Sequence, residues 1–213
     1  MKCNSEMMRL YAVTDRAWTG TQTLMEQVEA AIKGGATCIQ LREKKLSEDE
    51  FLTEAVEMKK LCSRYGVPFI VNDNVEIAIK CGADGIHVGQ KDMEAGNVRA
   101  LVGDDMTIGV SAQTVEQALA AQAAGADYLG VGAVFGTTTK PDANAVSIET
   151  LKEICAAVSI PVVAIGGINR MNMMKLSGSG VDGVALVSAV FAAEDIAREC
   201  SALRELSEKM VQR

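Results

Sequence analysis

The chain has a single histidine, His87, among 213 residues. Sites built on a histidine pair or three histidines around a metal are therefore excluded, and a Ser-His-Asp triad would have to use that one residue. Flanked by Ile86 and Val88, His87 reads as a hydrogen-bonded rim or core residue and is left out of the expected site. The six cysteines, Cys3, Cys38, Cys62, Cys81, Cys155 and Cys200, show no CxxC spacing. They read as reduced core or helix-face residues of a cytoplasmic protein, none of them catalytic. Met1 to Arg9 lacks a sustained apolar stretch, so no signal peptide is expected. No run approaches the roughly 18 apolar residues of a membrane span, so no membrane partner is expected either. A net charge of −7 and a pI near 4.9 argue against a broad nucleic-acid surface, while leaving room for a local basic pocket. No G-x-G-x-x-G turn follows an early strand, which removes the usual support for a dinucleotide fold.

What is present is a phrase repeated four times, a glycine and a small residue followed by a short apolar run. It appears as Gly35-Ala-Thr-Cys-Ile-Gln40, Gly82-Ala-Asp-Gly-Ile-His-Val88, Gly125-Ala-Asp-Tyr-Leu-Gly-Val131 and Gly180-Val-Asp-Gly-Val-Ala-Leu-Val-Ser188. Eight short runs, apolar on both faces, are predicted as strands: Leu10–Val13, Cys38–Leu41, Phe69–Val71, Gly85–Val88, Thr107–Val110, Tyr128–Val131, Val162–Ile165 and Val184–Val187. Helical spacing fills Thr23–Lys33, Ser47–Tyr65, Val75–Lys80, Val115–Ala124, Ile148–Val158 and Ala193–Met210. Ser47-Glu48-Asp49-Glu50 has the form of a capping box. Eight strands alternating with helices, with no linker or composition break, predict one α/β domain over residues 1–213. The open doubly wound sheet is the rival; the count of eight favours a closed (β/α)8 TIM barrel, with its active site at the C-terminal ends of the strands.

The strand ends carry the chemistry. Gln40, Arg42 and Lys44 alternate along the second strand and its exit, so all three can project together while Leu41 turns to the core. Gln40 offers a donor and an acceptor to a heterocycle edge, and Arg42 and Lys44 offer two cations to a polyanion. The plain alternative is a solvated loop whose cations pair with Glu43 or Glu48. Asn72-Asp73 and Gly89-Gln90-Lys91-Asp92 place two carboxylates on adjacent strand ends, a plausible Mg²⁺ site; equally, Asp73 could cap the helix from Val75 and Asp92 the segment from Met93. Ser111 could hydrogen-bond a ligand or start the next helix. Thr137, Thr138, Thr139 and Lys140 suit an anion. Gly166-Gly167 and Ser188-Ala189 stand where such barrels commonly cradle phosphate, although a tight turn also explains the glycines.

Taken in chain order, these phrases resemble the thiamine-phosphate synthase (thiamine-phosphate pyrophosphorylase) family. They are Leu10-Tyr-Ala-Val-Thr-Asp15, Gln40-Leu-Arg-Glu-Lys44, Asn72-Asp73, Asp84-Gly-Ile-His-Val-Gly-Gln-Lys-Asp92, Gly109-Val-Ser111, Gly132-Ala-Val-Phe-Gly-Thr-Thr-Thr-Lys140, Ala164-Ile-Gly-Gly-Ile168 and Val187-Ser188. The resemblance implies a (β/α)8 enzyme of thiamine biosynthesis that joins 4-amino-2-methyl-5-hydroxymethylpyrimidine diphosphate to a thiazole phosphate, or its carboxylated form, and releases pyrophosphate. It implies that Gln40, Arg42, Lys44, Asn72, Ser111 and Lys140 hold the pyrimidine diphosphate, with Arg42, Lys44, Ser111 and Lys140 catalytic. Asp73 and Asp92 would bind one Mg²⁺ per subunit, and Thr137, Thr139, Gly167, Val187 and Ser188 the thiazole phosphate. The expected partners are small phosphorylated substrates, and a homo-oligomer is compatible. Two positions depart from the family pattern: Gln113 stands where histidine is frequent, and Gly136 where proline is. Gln113 counts against the related thiazole tautomerase, which uses a histidine in that region. Other phosphate-binding barrels and a non-catalytic metabolite sensor are the rival readings.

Overall fold

A computed structural model describes residues 3–89, 98–136 and 145–212. Eight parallel strands, β1 (Leu10–Val13), β2 (Cys38–Leu41), β3 (Phe69–Asn72), β4 (Gly85–Val88), β5 (Thr107–Ala112), β6 (Tyr128–Val131), β7 (Val162–Ile165) and β8 (Gly183–Leu186), pair in sequence order, and β8 closes on β1. The described helices are α1 (Leu24–Lys33), α2 (Glu48–Tyr65), α3 (Val75–Lys80), α4 (Val98–Val102), α5 (Val115–Ala123), α6 (Ile148–Ala157), α7 (Ser188–Phe191) and α8 (Ile196–Val211). This is the (β/α)8 barrel that the repeat predicts.

Strand alternation sorts the side chains into two cores. Outward residues such as Leu10, Ile39, Leu41, Val71, Ile86, Val110, Leu129 and Val131 bury against the helices. Inward residues Tyr11, Val13, Cys38, Ile70, Tyr128, Val163 and Ala185 fill the barrel together with Met7 and Met8. The two methionines belong to a 3-10 turn, Ser5–Met8, that plugs the N-terminal mouth, its start held by Asn4 accepting from the Met7 N–H. Gly183 makes this close approach feasible, because a Cβ there would lie 1.9 Å from the Met8 carbonyl oxygen.

The repeated phrase has a physical role at that same mouth. The residue just before each even-numbered strand reaches back to the backbone of the preceding odd-numbered one. Thr37 Oγ1 accepts from Leu10 N at 2.8 Å, Asp84 Oδ2 from Phe69 N at 2.9 Å, Asp127 Oδ2 from Ile108 N at 2.8 Å and Asp182 Oδ2 from Val162 N at 2.9 Å. These four clamps satisfy backbone donors at or beside the starts of the odd strands. The apolar runs that follow are the even strands themselves.

Helix starts are locally encoded. Thr23 with Glu26, and Ser47 with Glu50, both close as capping boxes, and Gly66 ends α2 in the left-handed region at φ 68°. The differences from expectation lie at the ends of elements. β3 and β5 run on to Asn72 and Ala112, because their last polar residues still pair with neighbours; β8 begins at Gly183 and stops before Val187, which turns into α7. The last predicted helix is α8, which starts at Ile196 with Asp195 capping it through the Arg198 N–H; α7 before it and α4 are not among the predicted helices.

Candidate active site

The C-terminal mouth of the barrel collects the expected residues on β2, β3 and β5. Gln40 is inward-facing and only 4% exposed, and Asn72 is 9% exposed. Ser111 lies within β5, where its neighbour across the ladder is Gly130. It does not start the next helix; Thr114 does, accepting from the Gln117 N–H.

Immediately past β2, the chain holds its cations apart from its acid. The Glu43 side chain is buried, 3% exposed, and its Oε1 lies 2.8 Å from Arg16 Nε. Arg16 also grips Glu54 on α2 at 2.5 Å. Burial raises the Glu43 carboxyl, and Arg16 offsets part of that rise. Lys44 borders a cleft at the rim that Glu43 also lines. The Arg42 backbone N–H donates to Thr14 Oγ1 at 3.0 Å, and Thr14 is itself fully buried at the end of β1. Among the described residues the carboxylate paired with Arg42 is Asp15, at a long 3.9 Å, so pairing with Glu43 or Glu48 does not account for these cations.

Lys44 Nζ instead meets Asp73 Oδ2 at 2.5 Å. Asp73 does not cap α3; Asn74 does, accepting from the Ile77 N–H at 3.0 Å. Asp73 sits at φ 62°, a left-handed conformation uncommon for a residue with a side chain, while its N–H donates to the His87 carbonyl. Together Lys44, Asn72 and Asp73 border a cleft of about 480 Å³. Among the described residues, no three His, Cys, Asp or Glu side chains cluster as a complete metal cage. One rim carboxylate nonetheless fits Mg²⁺, a hard cation that commonly takes one or two carboxylates and fills its remaining positions with phosphate oxygens and water.

Across the mouth, Gly166 and Gly167 follow β7 with φ of 100° and 66°, and the Gly167 carbonyl accepts from Asn172 Nδ2 at 2.8 Å. A side chain at Gly167 would meet the Gly136 carbonyl oxygen at 2.3 Å, so this turn packs directly under the exit of β6. Val187 precedes α7, which opens with Ser188. Gln113, at the other departure from pattern, donates from Nε2 to the Gly132 carbonyl at 3.2 Å. Asp92, Thr137, Thr139 and Lys140 lie outside the described residues.

Two residues, Tyr11 and Tyr128, are missed by the sequence reading, and His87, read there as a hydrogen-bonded rim or core residue, joins them. His87 is part of a polar chain inside the barrel, bonded through Nδ1 to the Tyr128 hydroxyl and through Nε2 to Ser111 Oγ, each at 3.0 Å. Tyr11 and Tyr128, buried aromatics by composition, continue that chain to Gln40. The available signal was a phenol at an inward strand position, where only a hydroxyl partner makes burial tolerable.

A closed (β/α)8 barrel whose strand ends gather an amide, two cations and a carboxylate on one mouth defines an enzyme of the phosphate-handling barrel class. The comparisons make this specific. The family model of thiamine monophosphate synthase matches residues 10–190. A thiamine-phosphate synthase of Ruminiclostridium cellulolyticum is 51% identical over 197 residues, covering 92% of this chain and 94% of that protein. One from Clostridium tetani is 50% identical, covering 91% and 93% respectively. The solved structure of a thiamine phosphate pyrophosphorylase from Pyrococcus furiosus superposes with a TM-score of 0.89 at 38% identity, covering 98% of this chain and 99% of that one. The chain belongs to the thiamine monophosphate synthase family.

Proposed function

We propose that this protein is a thiamine-phosphate synthase, joining 4-amino-2-methyl-5-hydroxymethylpyrimidine diphosphate to 4-methyl-5-(2-hydroxyethyl)thiazole phosphate with release of pyrophosphate. The observation that carries the reading is the convergence of Gln40, Arg42, Lys44, Asn72, Asp73 and Ser111 on one mouth of the barrel, in a chain about half identical to synthases along nearly its whole length. It acts on small phosphorylated substrates, and we place it in the cytoplasm. No helix among the described residues is long and apolar enough to cross a membrane.

The reaction is a substitution at the pyrimidine methylene carbon. The C–O bond to the diphosphate breaks, and its electron pair leaves with the diphosphate. The thiazole nitrogen lone pair then forms the new C–N bond. No proton needs to be removed at the reacting carbon, so the step calls for no general base. The protein's task is to stabilise charge on the leaving group and to hold two substrates in line. Arg42 and Lys44 face that charge, with Lys140 by resemblance. Gln40, Asn72 and Ser111 hold the pyrimidine, and Thr137, Thr139, Gly167, Val187 and Ser188 hold the thiazole phosphate. Asp73 and Asp92 would hold Mg²⁺, which when bound neutralises negative charge on the diphosphate oxygens. Lys44 would then pass from Asp73 to the diphosphate.

The direct test is to mix the two substrates with and without Mg²⁺ and assay both pyrophosphate and thiamine phosphate. Equal amounts of both products, formed only with the cation, are expected. Tight binding without turnover would favour the sensor, and turnover indifferent to Mg²⁺ would remove the metal assignment. Lys140→Ala or Asp92→Ala should each lower turnover by about 10²-fold at saturating substrate.

A further inference from the structure

The inside of the barrel holds a continuous polar chain beneath the pyrimidine-facing residues. Gln40 Nε2 donates to Tyr11 Oη at 2.7 Å, and Tyr11 Oη lies 2.8 Å from Tyr128 Oη. Tyr128 Oη lies 3.0 Å from His87 Nδ1, and His87 Nε2 lies 3.0 Å from Ser111 Oγ. Both tyrosines are at most 1% exposed. Burial holds their hydroxyls well above the usual phenol range, so each keeps its single proton at neutral pH. The barrel also makes room for the chain. A Cβ on Gly109 would lie 2.0 Å from the Tyr128 ring, and one on Gly130 would lie 2.9 Å from the His87 ring.

One proton per hydroxyl gives such a chain a direction. An amide nitrogen can only donate, so Tyr11 accepts from Gln40 and passes its own proton to Tyr128. Tyr128 in turn donates to His87 Nδ1. The imidazole proton then sits on Nε2 and is donated to Ser111, whose own proton goes to a different acceptor. At the opposite end, the arm of the Gln40 amide left for a ligand is its carbonyl oxygen. Turning the Gln40 amide over would reverse every link and move the imidazole proton to Nδ1. The donor and acceptor pattern shown at Gln40 and at Ser111 is therefore set as one unit.

We propose that Tyr11, Tyr128 and His87 are positioning residues whose hydrogen-bond chain fixes an acceptor at Gln40 and a donor at Ser111, and thereby selects the aminopyrimidine edge of the substrate. This rests on the proposed synthase reading. The amino group would give a proton to Gln40 Oε1, and a ring nitrogen would accept from Ser111. A pyrimidine carrying an oxo group in place of the amine would set acceptor against acceptor at Gln40, the arrangement a hydrogen-bonding site rejects most strongly.

The test has two arms. In the first, long-range ¹⁵N–¹H spectra of the unliganded wild type are recorded; with a single histidine, their assignment is unambiguous. The neutral tautomer protonated on Nε2 is expected, with that preference weakened in Tyr128→Phe. An Nδ1-protonated ring in the wild type would overturn the proposal. In the second, competition constants of the amino and oxo pyrimidine diphosphates are compared in wild type, Tyr11→Phe, Tyr128→Phe and the double variant. Each single variant should narrow the amino preference by about tenfold and raise KM for the pyrimidine diphosphate by a similar factor, leaving KM for the thiazole phosphate within about twofold. Once one link is gone the chain is already cut, so the double variant should match the singles within about twofold. An unchanged preference, multiplicative losses in the double variant, or equal rises in both KM values would sink it. Absence of product from the wild type would refute the synthase reading instead, and leaves the spectroscopic arm intact.

Discussion

The two mouths of this barrel use the same residue types to opposite ends. At the N-terminal mouth, Asp84 is held from both sides, Oδ2 by the Phe69 N–H and Oδ1 by Lys59 Nζ at 2.7 Å. Asp127 is likewise held by the Ile108 N–H and by Arg99. Their charges are spent inside the fold. At the C-terminal mouth, the described residues give Arg42 a long contact to Asp15. Asp73 sits in a left-handed backbone and meets one exposed lysine. Carboxylates that bond strand N–H groups lock the barrel, whereas cations whose neighbours are distant or exchangeable can be claimed by a ligand. The division matches the barrel rule that chemistry gathers where strands end and stability where they begin.

The sharpest way to break this comparison is to remove one group at each mouth and read both activity and stability. Arg42→Ala should lower kcat/KM by about 10²- to 10³-fold through lost leaving-group stabilisation. Its melting temperature should stay within about 2 °C of wild type, since among the described residues the side chain's ion pair is long and only half-buried. A large drop in melting temperature would mean that the rim, too, is part of the scaffold. Asp84→Ala should behave in the reverse sense. It removes two charge-assisted bonds and leaves the Phe69 N–H and Lys59 without their acceptor, for a loss of about 2–4 kcal/mol in denaturant unfolding. KM for either substrate should hardly move.

How legible these two mouths are in the sequence follows from the kind of signal each sends. The strands were readable because their residues are apolar on both faces, and β1, β2, β4, β6 and β7 begin and end where the apolar runs do. Boundaries slipped where polarity and pairing part company, at Asn72, Ser111 and Gly183. Alternation alone gives the reading that Gln40, Arg42 and Lys44 share a side, while the Glu43 pairing with Arg16 could not be read from spacing. The clamps were visible only as a repeat of unknown purpose, because their partners are backbone N–H groups 15 to 27 residues away. Tyr11, Tyr128 and His87 signal at most that each needs a hydrogen-bond partner, not that they form one chain. Each is an ordinary core residue in its own strand, and only barrel closure brings the three hydroxyl and imidazole groups into line.

The smallest effect tests the repeat itself. Three of its four copies clamp with aspartate and the first with Thr37, so the repeat pattern would suggest that Thr37→Asp strengthens the barrel. The local contacts argue otherwise. Thr37 Oγ1 accepts from Leu10 N but also approaches two carbonyl oxygens as a donor, Met7 O at 3.0 Å and Leu10 O at 3.1 Å. A carboxylate can take the first role and not the second, and it would set its charge against both carbonyls beside the methionine plug. Thr37→Val, which loses the bonds but keeps the shape, should cost about 1 kcal/mol. Thr37→Asp should cost at least as much, with activity unchanged in both. A stabilised Thr37→Asp would show that the clamp works by charge alone, and would undo the distinction drawn here between a neutral clamp beside the plug and the charged clamps elsewhere around the mouth.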